Sequence, residues 1–424
     1  MTRSWNSLIS MAVTLAAAAL YMLGAGATAF AAGTSNEASP VVKPSPVHFA
    51  TQFGSLRFPE KFPAGTTLSI TQWSHFVPSY DKWFDAYAQQ WGQVHNVKVT
   101  VQHISYADLN STLAAAIAAK SGPTLMQMNA TPAAFIQGLQ PLNDVNEAAK
   151  SAYGEGVAPC THQAYLPIKK EWYAYCVGWV VDPGDYRISL WKDAGYPQGP
   201  VTYDDLFNGG QKIYQKTGIP VGVGMSPEID SEFYARSLLW SFGGQVQDAC
   251  GNVTLDSPQV RDAVKYQAKL FHAAETPEVF SWNAASNNQA FVSGRASYIQ
   301  NSISFYRTAQ ESNPKTATDT GFRPGLKGPS GQVHQTAHVW FIYVIPQYVT
   351  DKNQILAAKK FMLDLTANYS SDTYYSKLYD FPAYPPTVPQ LDQKGGWIDH
   401  DPWGSNPPDK LSVLRGALSW TAWL

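Results

Sequence analysis

Charge of one sign is missing from this chain. Its 424 residues carry 30 Lys and Arg against 32 Asp and Glu, a formal charge of −2, so it lacks the positive excess of a nucleic-acid binder. No nucleic-acid partner is expected. Charged residues of either sign are scarce, at 15%, and the chain is poor in the ingredients of disorder. Cysteine is nearly absent. Only Cys160, Cys176 and Cys250 occur, without the spacing of a thiolate metal site. Beyond the first thirty residues there is no long apolar run of the roughly 20 residues that a bilayer crossing needs. Also missing are a Gly-x-Ser-x-Gly elbow, a His-Glu-x-x-His pair and a phosphate-cradling Gly-Lys-Ser/Thr loop, which argues against the commonest hydrolases and nucleotide enzymes.

What the chain has in abundance is aromatic and apolar surface. Hydrophobic residues make up 45%, with 14 Trp, 23 Tyr and 19 Phe, enough to fill sizeable cores. Flat rings with polar edges are also what proteins lay against sugar faces, so the surplus is a first hint of function. At roughly 100 to 200 residues per domain, the length suits two domains.

The N-terminus reads as a targeting signal. Thr2-Arg3 opens a short basic end, Leu8 to Leu23 is an Ala- and Leu-rich run, and Ala29-Phe30-Ala31 supplies a small-x-small cleavage site. Residues 1–31 are therefore expected to be a signal peptide, the alternative being an uncleaved anchor. No Cys follows the run, so a lipid-modified cysteine is not available and a free periplasmic protein is expected. Residues 32–65 contain Pro40, Pro44, Pro46, Pro59 and Pro63 and read as an extended linker.

From Thr66 onward the pattern is βαβαβ. Leu68 to Trp73 alternates as a strand, and Tyr80 to Trp91 has helical spacing stopped by Gly92. Asn96 to Val101 is a strand, Asp108 to Lys120 an Ala-rich helix, and Thr124 to Met128 another strand. A second series runs through a helix at 202–218, a strand at Ile219 to Met225, and helices at Glu232 to Phe242 and Pro258 to Ala273. A strand at Ala296 to Gln300 and the apolar strand Val339 to Ile345 precede a helix at Lys352 to Thr366. The fold class is α/β, with mainly parallel sheets flanked by helices. Ligands of such sheets sit beyond the carboxyl ends of the strands, which points to Trp73–Phe76 and Asn129–Thr131. Cys160 precedes and Cys176 ends two adjacent strand segments (Gln163 to Leu166, Glu171 to Tyr175), so this pair is the candidate disulfide. By parity Cys250 then stays free.

Several segments, in their order and spacing, resemble the bacterial extracellular solute-binding proteins of ABC importers, in the maltose-binding-protein-like group, family 1. They are Ile70-Thr-Gln-Trp-Ser-His-Phe76; Trp172-Tyr-Ala-Tyr-Cys176 with Gly178-Trp-Val-Val-Asp182; Ala194-Gly-Tyr-Pro197 with Val201-Thr-Tyr-Asp-Asp-Leu206; Phe242-Gly-Gly244; Val253-Thr-Leu-Asp-Ser-Pro258; and Asn288-Gln-Ala-Phe-Val-Ser-Gly-Arg-Ala296 with Asn301. The resemblance covers about Thr66 to Pro386. It implies a two-lobed periplasmic-binding-protein fold of type II with crossing hinge strands near Cys176–Val180, Gln300–Ser302 and Pro346. The N-terminal lobe would be 66–176 and 301–346, and the C-terminal lobe 177–300 and 347–424. It further implies a monomer that encloses a small solute, most simply a mono- or oligosaccharide, and hands it to permease subunits without chemistry or cofactor. Such proteins usually continue past the equivalent of Ser419–Leu424 with a closing helical region, which puts ligand contact by Trp420 or Trp423 in doubt.

A neutral sugar presents apolar C–H faces and a rim of hydroxyls, which rings and amides can hold. Trp73, Ser74 and His75 follow the first strand, and Asn129 follows the third; ordinary loop packing is the alternative. Trp282 with Asn283, Asn287 and Asn288 clusters an indole with three amides, unless those amides cap the following helix. Asn301 lies at a presumed crossing, Trp340 in an otherwise apolar strand that suits core as well, and Tyr384 in a loop resembling one that reaches the cleft in relatives. Phe233, Tyr234 and Arg236 stand where relatives place an aromatic contact, Arg236 offering a fork to an acidic substituent or simply a helix surface. His334 and His338 are four apart but lie in a loop running into a strand, so no metal site is expected. The competing reading is a secreted carbohydrate-active hydrolase, for which Asp182, Glu228 and Asp230 are the available acids. A third is a sensor-associated binding protein for another solute.

Overall fold

The computed structural model describes residues 42–248 and 250–422; the leader expected at 1–31 and the first part of the linker lie outside them. A six-stranded sheet runs in the order Asp380–Pro382, Tyr175–Val180, Trp340–Val344, Leu125–Met128, Thr67–Trp73, Lys98–Ile104. Thr67–Trp73 pairs in parallel with Lys98–Ile104 from Thr67↔Lys98, and with Leu125–Met128 at Ile70↔Leu125. The remaining neighbours are antiparallel. A second sheet of three strands, Tyr298–Gln300, Gly184–Arg187 and Thr320–Arg323, is antiparallel throughout. The expectation of mainly parallel sheets is corrected accordingly. Only the opening β-α-β-α-β run builds parallel pairs, because there each helix returns the chain to its start. Trp340–Val344 and Asp380–Pro382, which follow the second sheet and the late helices, run the other way, and Tyr175–Val180 lies between them, antiparallel to both.

Two hydrophobic cores accompany the two sheets. The first gathers Trp91, Phe84, Tyr343, Phe361 and Tyr369 around the six strands, and the second gathers Trp191, Tyr203, Leu206, Leu270 and Tyr298 around the three. The helix Pro78–His95 buries Tyr80, Phe84, Tyr87, Ala88 and Trp91 on one face, as its spacing requires. Gly92 does not stop it. A Cβ there would come within 2.6 Å of the Val97 carbonyl and 2.8 Å of the Val99 side chain, so Gly92 lets the returning strand approach, and the helix ends at Asn96 in the left-handed region (φ 57°). In the second body the helix Tyr203–Thr217 is started by a reciprocal cap between Thr202 and Asp205. The expected strand Ile219–Met225 is extended chain beside Tyr298–Gln300, with Gly222 N–H donating to the Tyr298 carbonyl at 2.8 Å.

The expected partition of the chain is corrected in three places. The strand Thr320–Arg323, expected with the first lobe, pairs with Gly184–Arg187 in the second sheet. The helices Lys352–Ala367 and Tyr369–Tyr375, expected with the second lobe, pack in the first core, where Lys360 and Asp364 form a buried pair at 2.9 Å and Trp91 Nε1 donates to Asp364 at 2.7 Å. The third crossing falls between Arg323 and Trp340, ahead of Pro346, which already bridges Leu139 in the first body. The first expected crossing is the stretch between Val180 and Gly184, whereas at the second the chain leaves the second sheet after Gln300 and re-enters it at Thr320.

Nor do residues 42–65 hang free. Phe53, Phe58 and Phe62 are buried in the first core, Trp397 Nε1 donates to the Val42 carbonyl at 2.8 Å, and Asn368 bonds His48 in both directions at 2.8 Å. Its only regular structure among the described residues is the short antiparallel pair Gln52–Phe53 with Leu56–Arg57, and three phenylalanines strap it down. Among the described residues no helix is long and apolar enough to cross a membrane.

Candidate ligand-binding cleft

A cleft of about 1060 Å³ opens at the carboxyl ends of the three parallel strands. Ser74 and Phe76 follow the first of these strands, Ser105 and Tyr106 the second, and Asn129 to Thr131 the third, as the rule for such sheets requires. The facing wall is the helix Ile229–Ser241, which presents Glu232, Phe233, Arg236 and Trp240, together with Asn283 to Ala285. Thr336, Ala337 and Trp340, on the third crossing, form the back, and Gln163 and Ala422 complete the lining.

The charges in this lining are matched inside the protein. Glu228 caps the helix Ile229–Ser241, its carboxylate accepting from the Asp230 N–H at 3.0 Å and the Ser231 N–H at 2.6 Å and from the Ser231 hydroxyl. Arg236 pairs with Glu232 one turn earlier at 3.6 Å. What remains is aromatic or neutral and polar. Among the described residues the Tyr106 hydroxyl and the Trp340 indole N–H are buried without a hydrogen-bond partner; burial pushes the Tyr106 pKa up, keeping the phenol neutral.

Ser74, Asn129, Arg236 and Trp340, expected at the site, line the cleft. Asn129 spends part of its amide on the chain itself, Nδ2 donating to the Tyr106 carbonyl at 2.9 Å. Trp340 meets Phe233 edge-on, ring centres 6.1 Å apart.

The other expected contacts lie elsewhere, and four of them are core residues. Trp73 is 1% exposed, enclosed by Phe76, Tyr106 and Phe341; strand alternation turns it inward and leaves Ser74 facing out. His75 is buried, its Nδ1 accepting from the Val77 N–H at 2.9 Å, which leaves Nε2–H to donate to Asp380 at 3.0 Å. Burial lowers its pKa to about 4, against the pull of Asp81 and Asp372, so the ring is neutral. Tyr234 points into the second core, the opposite side of the helix from Arg236's cleft face, and its neighbour Phe233 reaches the cleft instead. Tyr384 is 2% exposed and stacks near Tyr175 at 6.4 Å.

The remaining expected residues sit behind the wall. Trp282 is half-buried, its carbonyl accepting from the Ser226 hydroxyl at 2.7 Å, and it is Asn283 next to it that lines the cleft. Asn287, Asn288 and Asn301 bind one another. Asn301 Nδ2 donates to Asn287 Oδ1 at 3.0 Å and also to Asn288 Oδ1, and Asn287 Nδ2 donates to Asp230 at 2.9 Å. The amides neither cap the next helix nor line the cleft. They belong to a buried network that includes Asp182, Gln300 and His338, Gln300 Nε2 donating to Asp182 Oδ2 at 2.7 Å. Burial raises the Asp230 pKa to about 7, against the opposing effects of His338 and Asn287. Asp182 and Asp230 are thus buried and Glu228 is a helix cap.

Several lining residues escaped the sequence reading, Tyr106, Gln163 and Trp240 among them. Tyr106 follows a parallel strand and was open to the strand-end rule. Gln163 had no such signal, because it sits in the helix Ala158–Ala164 where a strand was expected. That helix is tied to the large sheet by the Cys160–Cys176 disulfide, and Cys250 is an exposed free thiol. Among the described residues no group of three or more His, Cys, Asp or Glu is placed to hold a metal ion.

These features define a two-lobed α/β binding protein of the periplasmic type. The chain matches the family model of bacterial extracellular solute-binding proteins over residues 82–403, and it belongs to that family. Among solved structures it is similar to maltose-bound MalE3 of T. maritima, at 20% identity and a TM-score of 0.68, over 84% of this chain and 89% of that one. It is likewise similar to the GacH receptor of Streptomyces glaucescens, solved unliganded and with acarbose, at 17% identity and 0.64 over 85% and 88%. A third is a sugar transporter protein of Arthrobacter chlorophenolicus with bound laminaribiose, at 16% and 0.66 over 85% and 86%. No curated protein matches the chain.

Proposed function

We propose that this protein is the periplasmic receptor of an ABC importer, exported by a cleaved signal peptide and acting as a monomer. It encloses an uncharged mono- or oligosaccharide, or a related polyol, and delivers it to the permease. The observation that carries the solute class is the charge pairing of the cleft: Glu228 is consumed by helix amides and Arg236 by Glu232. A charged solute would meet no unmatched partner in the lining, whereas rings and neutral amides suit C–H faces and hydroxyls. Ser74, Asn129 and Trp340, with Phe76 and Phe233, are the proposed contacts. The family and the sugar-bound relatives support the same reading. Closure of the two bodies about the segments Val180–Gly184 and Arg323–Trp340 is the proposed signal to the permease, a two-state hinge movement.

A thermal-shift screen of the purified protein tests the reading. A neutral sugar or polyol at 100 times its dissociation constant should add about 2.7 kcal/mol of stability, and amino acids and polyamines should add none. Stabilisation by an anionic or cationic solute alone would overturn it.

A further inference from the structure

We propose that Gln163 is a direct solute contact and that the Cys160–Cys176 disulfide is what holds it in the cleft. The inference rests on the binding role proposed above and adds to it a specificity-determining residue. Gln163 is only 6% exposed, yet it is part of the cleft lining. Among the described residues its amide has no hydrogen-bond partner, and neither amide atom is sealed away from the cleft. An amide open to the cleft and not spent on the chain can exchange its water for a solute's hydroxyls. Its neighbours differ: Asn129 Nδ2 is committed to the Tyr106 carbonyl, and the side-chain Oδ1 of Asn110 to the Asn129 N–H. Gln163 offers two N–H donors and a carbonyl acceptor at one point. Adjacent hydroxyls of a polyol, each both donor and acceptor, are the chemical complement of that pattern.

Beneath Gln163 its helix packs on the large sheet, with Cys160 and Ala164 buried in the first core, and the disulfide adds a covalent tie. Its helix, Ala158–Ala164, has seven residues and no side-chain N-cap, too short to persist on its own. Its two ends are fixed by single backbone bonds, Val157 N–H to the Ala383 carbonyl at 2.8 Å and Tyr173 N–H to the Ala164 carbonyl at 3.3 Å. Between them Cys160 is bonded to Cys176, in the strand Tyr175–Val180 inside the large sheet. Gln163 follows Cys160 by three residues, so the bridge sets the height and rotation of the amide over the cleft. That makes Gln163 the contact and the disulfide its positioning element.

The test is a double-mutant cycle of the wild type, Gln163→Met, Cys160→Ser with Cys176→Ser, and the combined variant. Binding of glucose, maltose, maltotriose and ribitol is measured calorimetrically, well below every melting temperature. Met keeps the length of Gln and removes the amide. Gln163→Met should weaken the tightest of these probes roughly tenfold without lowering the melting temperature of the free protein. The bridge variant should weaken it by a similar factor, and the combined variant no further, because both changes remove one contact. Unchanged affinity in Gln163→Met overturns the contact, and losses that multiply overturn the positioning role, both leaving the receptor reading intact. Failure of the wild type to bind any of the four overturns the receptor reading and this inference together.

Discussion

His338 stands between two carboxylates, its Nδ1 3.2 Å from Asp182 Oδ1 and 3.6 Å from Asp230 Oδ1. Asp182 lies in the first crossing, His338 in the third, and Asp230 in the first turn of the helix that walls the cleft. One imidazole therefore joins two hinge segments to the binding wall.

This junction makes stability depend on pH. Burial would lower the pKa of His338, but the Asp182 hydrogen bond and the surrounding carboxylates outweigh it and leave the pKa raised. Its contribution is present below the ordinary histidine value and lost as pH rises through the folded one. Asp230, raised by burial from 3.8 to about 7, keeps its proton in the folded state after the unfolded chain has released it, so stability falls as pH climbs across that interval. Both groups act in one direction. Asp230→Asn should make the decline in unfolding free energy between about pH 4 and 7 shallower, as urea titrations at stepped pH would show; an unchanged slope contradicts the assignment.

Two tryptophans should separate cleanly. Trp73→Ala removes a side chain enclosed in the core and should cost about 3–5 kcal/mol of stability, measured by urea unfolding of the free protein. Trp340→Ala, at the half-buried back of the cleft, should cost less stability and abolish the ligand-induced thermal shift. The opposite assignment of losses would place Trp73 in the site and Trp340 in the core.

The neutrality of the cleft can be changed by one residue. Glu232→Gln frees Arg236 from its partner at 3.6 Å, leaving an unmatched guanidinium in the lining. Affinity for an acidic sugar such as glucuronate should then rise relative to glucose, read by calorimetry. No change in that ratio would mean that the Glu232–Arg236 pair does not govern charge selection.

Arg307 and Asp401 form a buried pair at 2.7 Å, with side chains 3% and 0% exposed. Arg307→Met leaves a buried carboxylate unpaired and should cost about 3–5 kcal/mol. Pairing it with Asp401→Leu should recover much of that loss, since no charge is then stranded. Equal destabilisation by the single and double variants would show that the cost is packing alone.

Much of the frame was legible in residue order. The spacing of Tyr80, Phe84, Tyr87 and Trp91 predicted a helix face, and that face is buried. The β-α-β-α-β opening located two of the three loops that meet at the cleft, Trp73–Phe76 and Asn129–Thr131. Local periodicity suffices there because one element's buried face is set by its own repeat. The Lys352 helix was also foreseen, but not its place: nothing in its own spacing says that it packs in the first core, since that depends on partners some 200 residues away.

By itself the sequence determined the kinds of element, the strand ends where a ligand belongs, the family likeness and the supply of rings and amides. Tertiary structure alone decided which of two neighbours faces the solute, Ser74 over Trp73 and Phe233 over Tyr234. It also decided that Asn287, Asn288 and Asn301 spend their amides on one another and on Asp230, and that a short bridged helix carries Gln163 into the lining. The physical reason is common to all of these. A side chain's chemistry is local, but its direction and its partners are fixed only when distant segments close around it.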